Sequence, residues 1–240
     1  MHRGIIILEG PDASGKTTLA SQIESEATSR KNWRYSNVHR MHLRERRNLA
    51  PFQFLATSKA IDHRGLTIID RHWISEEVYS AVYRPNQTRS TIYSRLWFEM
   101  FMTVPTVYVM CCPSVANAVE SYHRTIGQGV SQLYESDDRL KHAAELYRRV
   151  VGFHARDFDD VNFFAKGLGH RLSQHGGLCS MRTTFPHQYE VVHHDIFEHP
   201  VSAADALDTL DALVHRRAKQ SAADRNEMLN RRKLMMNILQ

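Results

Sequence analysis

One segment near the start of the chain, residues 9–17, constrains the fold more than any other. It reads Glu-Gly-Pro-Asp-Ala-Ser-Gly-Lys-Thr and fits the phosphate-binding loop pattern G-x-x-x-x-G-K-[ST]. The unbroken apolar run before it, residues 4–8, is typical of a central parallel strand that is covered on both faces. After it, residues 17–27 place Leu19 and Ile23 on one helical face. A loop between such a strand and such a helix predicts a nucleoside triphosphate site.

The residue types of this loop suit a triphosphate and a magnesium ion. Gly10 and Gly15 permit backbone torsions that turn several N–H groups inward toward phosphate oxygens. We expect Lys16 to reach the β- and γ-phosphates and the Thr17 hydroxyl to bind Mg²⁺. The alternative is a glycine-rich turn that happens to contain a lysine. The predicted nucleotide-binding residues are Gly10, Pro11, Asp12, Ala13, Ser14, Gly15, Lys16, Thr17 and Thr18.

Composition narrows the class of protein. The 240 residues, with a mass of 27.8 kDa, fit one α/β domain with an appendage at most. The 31 Lys and Arg residues exceed the 26 Asp and Glu residues, which weakly favours a polyanionic partner. Cys111, Cys112 and Cys179 cannot all pair, so we expect reduced thiols and a cytoplasmic location. No apolar run approaches the roughly 18 residues that would cross a bilayer, so no membrane partner is expected.

Alternating strand and helix patterns predict an open, doubly wound α/β sheet of five parallel strands. After the first strand, the predicted strands cover residues 33–39, 66–69, 106–110 and 189–193. After the first helix, the predicted helices cover residues 90–103, 114–124, 137–150 and 203–217, with Ser114 as an N-cap. The predicted domain spans residues 1–217, with an irregular insertion at about 166–188 and a basic tail or helix at 218–240.

A basic stretch at residues 39–47 is followed by two phenylalanines, Phe52 and Phe54. Such a stretch is either a solvated charged face or a wall that binds backbone phosphates and stacks on bases. The sequence leaves both interpretations open. The basic tail is likewise either a loosely packed solvated helix, a docking helix or an arm that faces nucleic acid.

The dipeptide Asp70-Arg71, which follows the predicted strand at residues 66–69, narrows the reaction. Because parallel strands share one carboxyl rim, we expect this pair beside the phosphate-binding loop. A motor ATPase usually has Asp-Glu here, and a GTPase needs Asp-x-x-Gly, whereas position 73 is Trp. Asp-Arg suits phosphoryl transfer to a second substrate, with a carboxylate for metal or acceptor and a guanidinium for developing phosphate charge. The alternative is a surface ion pair.

The loop at residues 9–17, taken with Asp70-Arg71-His72-Trp73-Ile74-Ser75-Glu76, resembles the thymidylate kinase family, especially bacteriophage members with an Asp-Arg-His-Trp motif. The resemblance implies a three-layer P-loop kinase fold with a lid at about residues 121–140. It also implies ATP and Mg²⁺ as cofactors. Under this resemblance Lys16, Asp70 and Arg71 are catalytic.

The resemblance implies further roles around the loop. Thr17 and Asp70 become the metal ligands, and Asp12 faces the acceptor. Members of the family take a catalytic arginine either from the loop or from the lid. Positions 13 and 14 are Ala and Ser, so the resemblance assigns that role to Arg124 in the lid. A lone arginine at a helix end is otherwise a charge that compensates the helix dipole.

The chain departs from family members that act on free dTMP, which usually carry Arg-Glu-Pro after the second strand. Here Arg44-Glu45 is followed by Arg46, and the segment before Gly65 lacks the family's Arg-Ala-Gln-His helix. Related phage kinases phosphorylate 5-hydroxymethyluracil within DNA. Such an enzyme needs no clamp for a free monophosphate, but it needs a basic surface and a way to expose the base.

For that activity the resemblance implies Phe54 and Trp73 as substrate contacts. The implied partners are hydroxymethyluracil-containing DNA and a nucleotide, and the implied location is the host cytoplasm. The acceptor hydroxyl gains from a nearby base, for which Asp70 is the first candidate and Glu9 and His72 are reserves. Two alternative functions stay open: a kinase for free dTMP or a modified deoxynucleoside monophosphate, and a nucleic-acid-binding P-loop ATPase. A homodimer is open as the assembly.

Overall fold

The computed structural model describes residues 3–30, 35, 37–42, 63–83, 104–127, 136–151 and 189–218. Within these ranges the chain has an α/β pattern of strands and helices. The strands are β1 (Gly4–Glu9), β2 (Val38–His42), β3 (Leu66–Asp70), β4 (Thr106–Cys111) and β5 (Tyr189–His194). The helices are α1 (Lys16–Ser29), α2 (Trp73–Tyr83), α3 (Val115–Ile126), α4 (Asp137–Val151) and α5 (Ala203–Ala218).

These strands form one parallel sheet in the order β2-β3-β1-β4-β5. β1 is central, and its Ile6 lies beside Ile68 of β3 and Val107 of β4. Every residue of β1, β3 and β4 is buried, as unbroken apolar runs predict for strands that are covered on both faces. The predicted α/β fold with a five-stranded parallel sheet is confirmed. Because the strands are parallel, their carboxyl ends form one rim.

Side chains of β1 alternate between two hydrophobic cores, one on each face of the sheet. Ile5 and Ile7 pack with residues of α2, α3 and α4. Ile6 and Leu8 pack with residues of α1 and α5. The sheet is therefore the middle of three layers, and its central strand is fixed by packing from both sides and by hydrogen bonds from both neighbours.

The bounds of β2 differ from the prediction. The strand begins at Val38 instead of residue 33 and ends at His42 instead of residue 39, and Tyr35 and Asn37 lie outside it. Pairing with β3 sets these bounds, because β3 begins at Leu66 and Val38 lies opposite that residue. The carboxyl end of β2, where a functional side chain is expected, is therefore at His42.

The sequence patterns do not predict α2, which begins at Trp73. Every other described element agrees with its prediction within two residues at each end. Ser114 caps α3 as predicted, because the Asn117 N–H donates to its hydroxyl at 3.2 Å. The predicted helix at 90–103, residues 128–135 of the predicted lid, the insertion at about 166–188 and residues 219–240 of the predicted tail lie outside the described residues.

Two smaller expectations concern membranes and cysteines. In the described part of the chain, no helix combines the length and the apolar character needed to cross a bilayer. Cys111 and Cys112 are free thiols, and burial raises the pKa of the Cys111 thiol to about 12. Cys179 lies outside the described residues.

Candidate active site

The phosphate-binding loop starts at Gly10, directly after β1. A Cβ atom at Gly10 would lie 2.0 Å from the carbonyl oxygen of Cys111, so the loop backbone passes against the end of β4. Gly10 has φ +151°, and Gly15 has φ +83° where α1 begins. Ala13 is also left-handed, with φ 59°. These turns curl the loop over the N-terminus of α1, where backbone N–H groups and the helix dipole favour an anion.

Two neighbouring segments hold the loop in place. The Ser121 hydroxyl of α3 donates to the carbonyl oxygen of Ala13 at 2.8 Å. Ile196, which follows β5, packs so closely on Gly15 that a Cβ atom there would lie 2.5 Å from its Cγ2 atom. The loop is therefore fixed by contacts with α3 and with the chain after β5, as well as by its own turns.

Lys16 is almost fully buried, with 4% of its surface exposed. Its Nζ donates to the carbonyl oxygen of Pro11 and, at 3.1 Å, to the hydroxyl of Ser14. Burial lowers the pKa of Lys16, and the negative charges of Asp70 and Glu9 act in the opposite direction. Because both hydrogen-bond acceptors are uncharged oxygens, the ammonium brings positive charge to the centre of the loop.

Asp70, the last residue of β3, is fully buried beside this loop. Its Oδ2 accepts a hydrogen bond from the Thr17 hydroxyl at 3.0 Å and lies 2.8 Å from Nδ1 of His42. Burial acts to raise the pKa of Asp70, but the hydrogen bond from His42, the charge of Lys16 and the Thr17 hydroxyl outweigh it, so the pKa is lowered. The carboxylate is therefore ionised at neutral pH.

The other carboxylate oxygen of Asp70 supports a metal site. This Oδ1 is buried and has no hydrogen-bond partner within the residues that the structure describes. The Thr17 hydroxyl lies beside the same carboxylate. Carboxylate and hydroxyl oxygens are the ligand types that Mg²⁺ takes in nucleotide sites. The residues present therefore fit that ion.

Arg71 follows β3 and contacts the phosphate-binding loop. Its backbone is left-handed, with φ 74°, and its N–H donates to the carbonyl oxygen of Leu8 at 2.9 Å. Its guanidinium donates to the carboxylate of Asp12 and to the hydroxyl of Tyr79. The guanidinium carbon lies 4.9 Å from the centre of the Tyr79 ring. Asp12, which the resemblance places at the acceptor, and Arg71, the predicted catalytic arginine of the strand end, are therefore in direct contact.

Glu9 and His72, the reserve candidates for a base, are both fully buried. Oε1 of Glu9 accepts from the backbone N–H groups of His72, Ile74 and Ser75, at 2.8, 3.2 and 3.4 Å. The Ser75 hydroxyl donates to Oε2. Burial raises the pKa of Glu9 to about 7 against the lowering effect of these hydrogen bonds. Burial lowers the pKa of His72 to about 3. Glu9 thus serves as an N-cap of α2.

Arg124 lies near the end of α3 and is largely exposed. It pairs with Glu120 one turn earlier, at 2.7 Å, which is the charge pairing expected of a solvated helix face. Ser121, which contacts the loop, lies one turn before Arg124 on the same helix. Arg124 thus lies one turn beyond the residue that contacts the loop, and its guanidinium pairs with a neighbour on its own helix. Phe54 and the side chain of Trp73 lie outside the described residues.

Arg40 of the basic stretch is turned toward α1. Its guanidinium donates to the Ser21 hydroxyl at 2.8 Å and to the Thr17 carbonyl oxygen at 3.2 Å, and it lies 3.7 Å from the Glu24 carboxylate. Arg40 thus joins β2 to α1. Residues 43–47, the rest of the basic stretch, lie outside the described residues.

Sequence reasoning missed two polar residues of the site. His42 carries a detectable signal, since it ends β2 directly opposite Asp70 at the end of β3, but the shifted prediction of β2 hid it. Ser121 carries no such signal, because its contact with Ala13 depends on how α3 packs.

Comparisons with known proteins add information on the fold. No protein-family model matches this chain, and no curated protein matches it. Among solved structures it is similar to the YorR protein from Bacillus subtilis, in complex with phosphorylated GDP, at 17% identity and a TM-score of 0.52. That similarity covers 90% of this chain and 99% of YorR.

A second solved structure is the shikimate kinase from Acinetobacter baumannii, in complex with shikimate. It has 14% identity and a TM-score of 0.34, over 62% of this chain and 80% of that one. This second overlap is too small to support an argument. At such low identity the similarity to YorR establishes the fold alone, an α/β fold with a five-stranded parallel sheet.

Proposed function

We propose that this protein is a P-loop kinase that transfers the γ-phosphate of ATP to the hydroxymethyl group of 5-hydroxymethyluracil in DNA. The observation that carries the kinase proposal is the contact of two motifs, the phosphate-binding loop and Asp70-Arg71, at one rim. Thr17 of the loop donates to Asp70, and Arg71 next to it donates to Asp12 of the loop. YorR, a protein of the same fold, was crystallised with phosphorylated GDP, which agrees with nucleotide binding here.

The donor half of the site is suited to a triphosphate. The loop turns expose the N-terminus of α1, and Lys16 adds a buried positive charge next to it. An ammonium that is held by Pro11 and Ser14 loses little further freedom when it binds phosphate oxygens. When bound, Mg²⁺ would be held by Thr17 and Asp70 and would neutralise charge on the β- and γ-phosphates.

The acceptor half is suited to a second substrate. In the proposed reaction the hydroxymethyl oxygen bonds to the γ-phosphorus while the bond between that phosphorus and the β–γ bridging oxygen breaks, which releases ADP. The hydroxyl proton passes to a carboxylate, for which Asp70 is the candidate through Oδ1, since that oxygen has no partner in the described residues and can accept along one lone pair while the other binds Mg²⁺. A loose phosphoryl-transfer transition state places little demand on base strength, so a carboxylate of low pKa suffices. Arg71 would stabilise charge on the transferred group.

Support for the DNA acceptor comes from the sequence. The basic stretch at residues 39–47 and the excess of basic residues suit a polyanion. The absence of the Arg-Glu-Pro pattern argues against a clamp for free dTMP, since Arg46 stands where that pattern has Pro. Phe54 and Trp73 are the proposed contacts of the exposed base.

The test is a transfer assay with γ-labelled ATP and four acceptors. These are closed circular DNA that contains 5-hydroxymethyluracil, closed circular DNA without it, dTMP, and 5-hydroxymethyl-dUMP. Closed circles offer no terminal hydroxyl, so label on DNA reports on the base. We expect label only on the modified circle. Label on dTMP alone would reject the DNA acceptor and keep the kinase, whereas DNA-stimulated ATP hydrolysis with no labelled acceptor would favour the ATPase alternative.

A matched pair of lysine variants tests the donor half. We expect Lys16→Ala to lower transfer to any acceptor by at least about 1,000-fold, because positioning and charge supply most of the catalysis in phosphoryl transfer. Lys141→Ala is the control, because Lys141 lies on α4 with half of its side chain exposed and a long contact to Asp138 at 3.8 Å. Normal turnover by Lys16→Ala would contradict the proposed nucleotide site.

A further inference from the structure

The turn between β3 and α2 is strained at a residue that the proposed reaction uses. Arg71 is left-handed, with φ 74°, in the part of the backbone map that residues with a Cβ atom avoid. Such a conformation is unfavourable for a residue with a Cβ atom and persists only when surrounding contacts enforce it. It turns the guanidinium toward Asp12 and Tyr79. Whatever enforces the turn therefore also aims Arg71.

The contacts that enforce this turn come from two adjacent residues of β1. The Leu8 carbonyl oxygen accepts from the N–H of Arg71. Oε1 of Glu9 accepts from the next backbone N–H, that of His72, and then from Ile74 and Ser75 in the first turn of α2. Leu8 contributes only backbone, as any residue would. Glu9 contributes a side chain, so its contacts with the turn can be removed by substitution.

Glu9 is a rigid point of attachment. It is fully buried, and its strand is paired with β3 on one side and with β4 on the other. Its second oxygen, Oε2, accepts from the Ser75 hydroxyl, whose oxygen lies 2.8 Å from the hydroxyl of Tyr147 on α4. Since the Ser75 proton goes to Glu9, Tyr147 donates to Ser75. The carboxylate is therefore fixed by four donors and supported from α4.

We infer that Glu9 is a positioning residue that acts through Arg71 by clamping the left-handed turn before α2. This inference rests on the proposed function, because it assigns a catalytic task to Arg71. It also distinguishes Glu9 from a general base. A base must offer a free carboxylate oxygen to the acceptor hydroxyl, whereas three backbone N–H groups occupy Oε1 and a hydroxyl occupies Oε2.

Two conservative variants separate clamping from proton transfer. Glu9→Gln keeps an oxygen at the position of Oε1 and removes the charge, whereas Glu9→Asp keeps the charge and withdraws the carboxylate by one methylene. If Glu9 clamps the turn, we expect kcat to fall by no more than about threefold in Glu9→Gln and by about 30-fold in Glu9→Asp. The KM for ATP should change little in either variant. The reverse order, with Glu9→Gln the worse enzyme, would overturn the inference and make Glu9 a base.

Action through Arg71 is tested by combining variants. In an Arg71→Ala background, Glu9→Asp should lower kcat by less than about twofold, because the group that it positions is gone. A full 30-fold loss in that background would show that Glu9 acts by another route.

A chemical readout keeps the inference testable if no acceptor is phosphorylated. Phenylglyoxal modifies guanidinium groups, and mass spectrometry can follow Arg71 and the exposed Arg124 in the same sample. We expect Glu9→Asp to raise the modification rate of Arg71 at least about threefold. The rate at Arg71 in Glu9→Gln, and the rate at Arg124 in both variants, should stay near the wild-type values. Unchanged protection of Arg71 in Glu9→Asp would overturn the clamp. Lack of transfer by the wild-type protein would reject the proposed function alone.

Discussion

The buried carboxyl of Glu9 predicts an unusual dependence of stability on pH. Burial raises its pKa from 4.5 to about 7. A carboxyl whose pKa is higher in the folded state binds more protons there than in the unfolded state between those two values. The stabilisation that this more tightly bound proton gives the folded state is therefore fully present below about pH 4.5 and is lost as the pH rises through about 7. Replacing Glu9 with Gln removes this titration.

The size of the effect follows from the two pKa values. With pKa values of 4.5 and about 7, the linkage relation gives the proton a contribution of roughly 2 to 3 kcal/mol at about pH 5 and close to zero at about pH 7.5. The free energy of unfolding of the wild type, relative to that of Glu9→Gln, should therefore fall by about 2 kcal/mol as the pH rises over that interval. Any cost of the amide that does not depend on pH drops out of this difference.

Urea unfolding at a series of pH values from about 5 to about 7.5 measures the effect, with the free energy of unfolding taken from each curve. The buried His72 does not disturb the comparison. Burial lowers its pKa to about 3, which makes stability rise with pH in part of this range, but both proteins keep that residue. Parallel curves, with a difference that changes by less than about 0.5 kcal/mol across the series, would refute the raised pKa of Glu9.

Two further substitutions test the phosphate-binding loop and the proposed role of Arg124. Gly10→Ala places a methyl group 2.0 Å from the Cys111 carbonyl oxygen, and we expect urea unfolding to show a loss of at least about 3 kcal/mol. In Gly127→Ala, the control, the nearest atom is 3.5 Å away, so the loss should stay below about 1 kcal/mol. Arg124→Ala breaks only an exposed pair with Glu120, so stability should change by less than about 0.5 kcal/mol while single-turnover transfer falls at least about 100-fold. Undiminished transfer would reject Arg124 as the catalytic arginine.

The parts of the fold that could be predicted from sequence are those whose environment is uniform. β1, β3 and β4 are buried along their whole length, so their composition alone indicates covered strands. β2 is an edge strand with only intermediate and exposed residues, and its segment Val-His-Arg-Met-His has no strong period. Pairing with β3 fixes its position instead. Because the predicted strand ended three residues too early, His42 was not identified as the neighbour of Asp70.

The α2 helix shows a second limit of local patterns. Its first turn is capped from a different strand, by a carboxylate more than sixty residues earlier in the chain. A helix that starts on such a long-range cap carries no Ser, Thr, Asp or Asn signal directly before it, and the preceding residues here are Arg71 and His72. Glu9 could be identified from sequence as a strand-end carboxylate, but its role depended on a contact that only the folded chain makes.

The end of β1 connects the two halves of the site. Gly10 continues from the strand into the phosphate-binding loop, and the preceding Glu9 and Leu8 hold the turn that carries Arg71. Leu8 also lies directly beside Asp70 in the sheet. Consecutive residues of one strand thus hold both the phosphate-binding loop and the turn that carries Arg71, and the pairing of that strand with β3 and β4 prevents the two from moving apart. The distance between the two halves of the proposed site is therefore set mainly by the sheet.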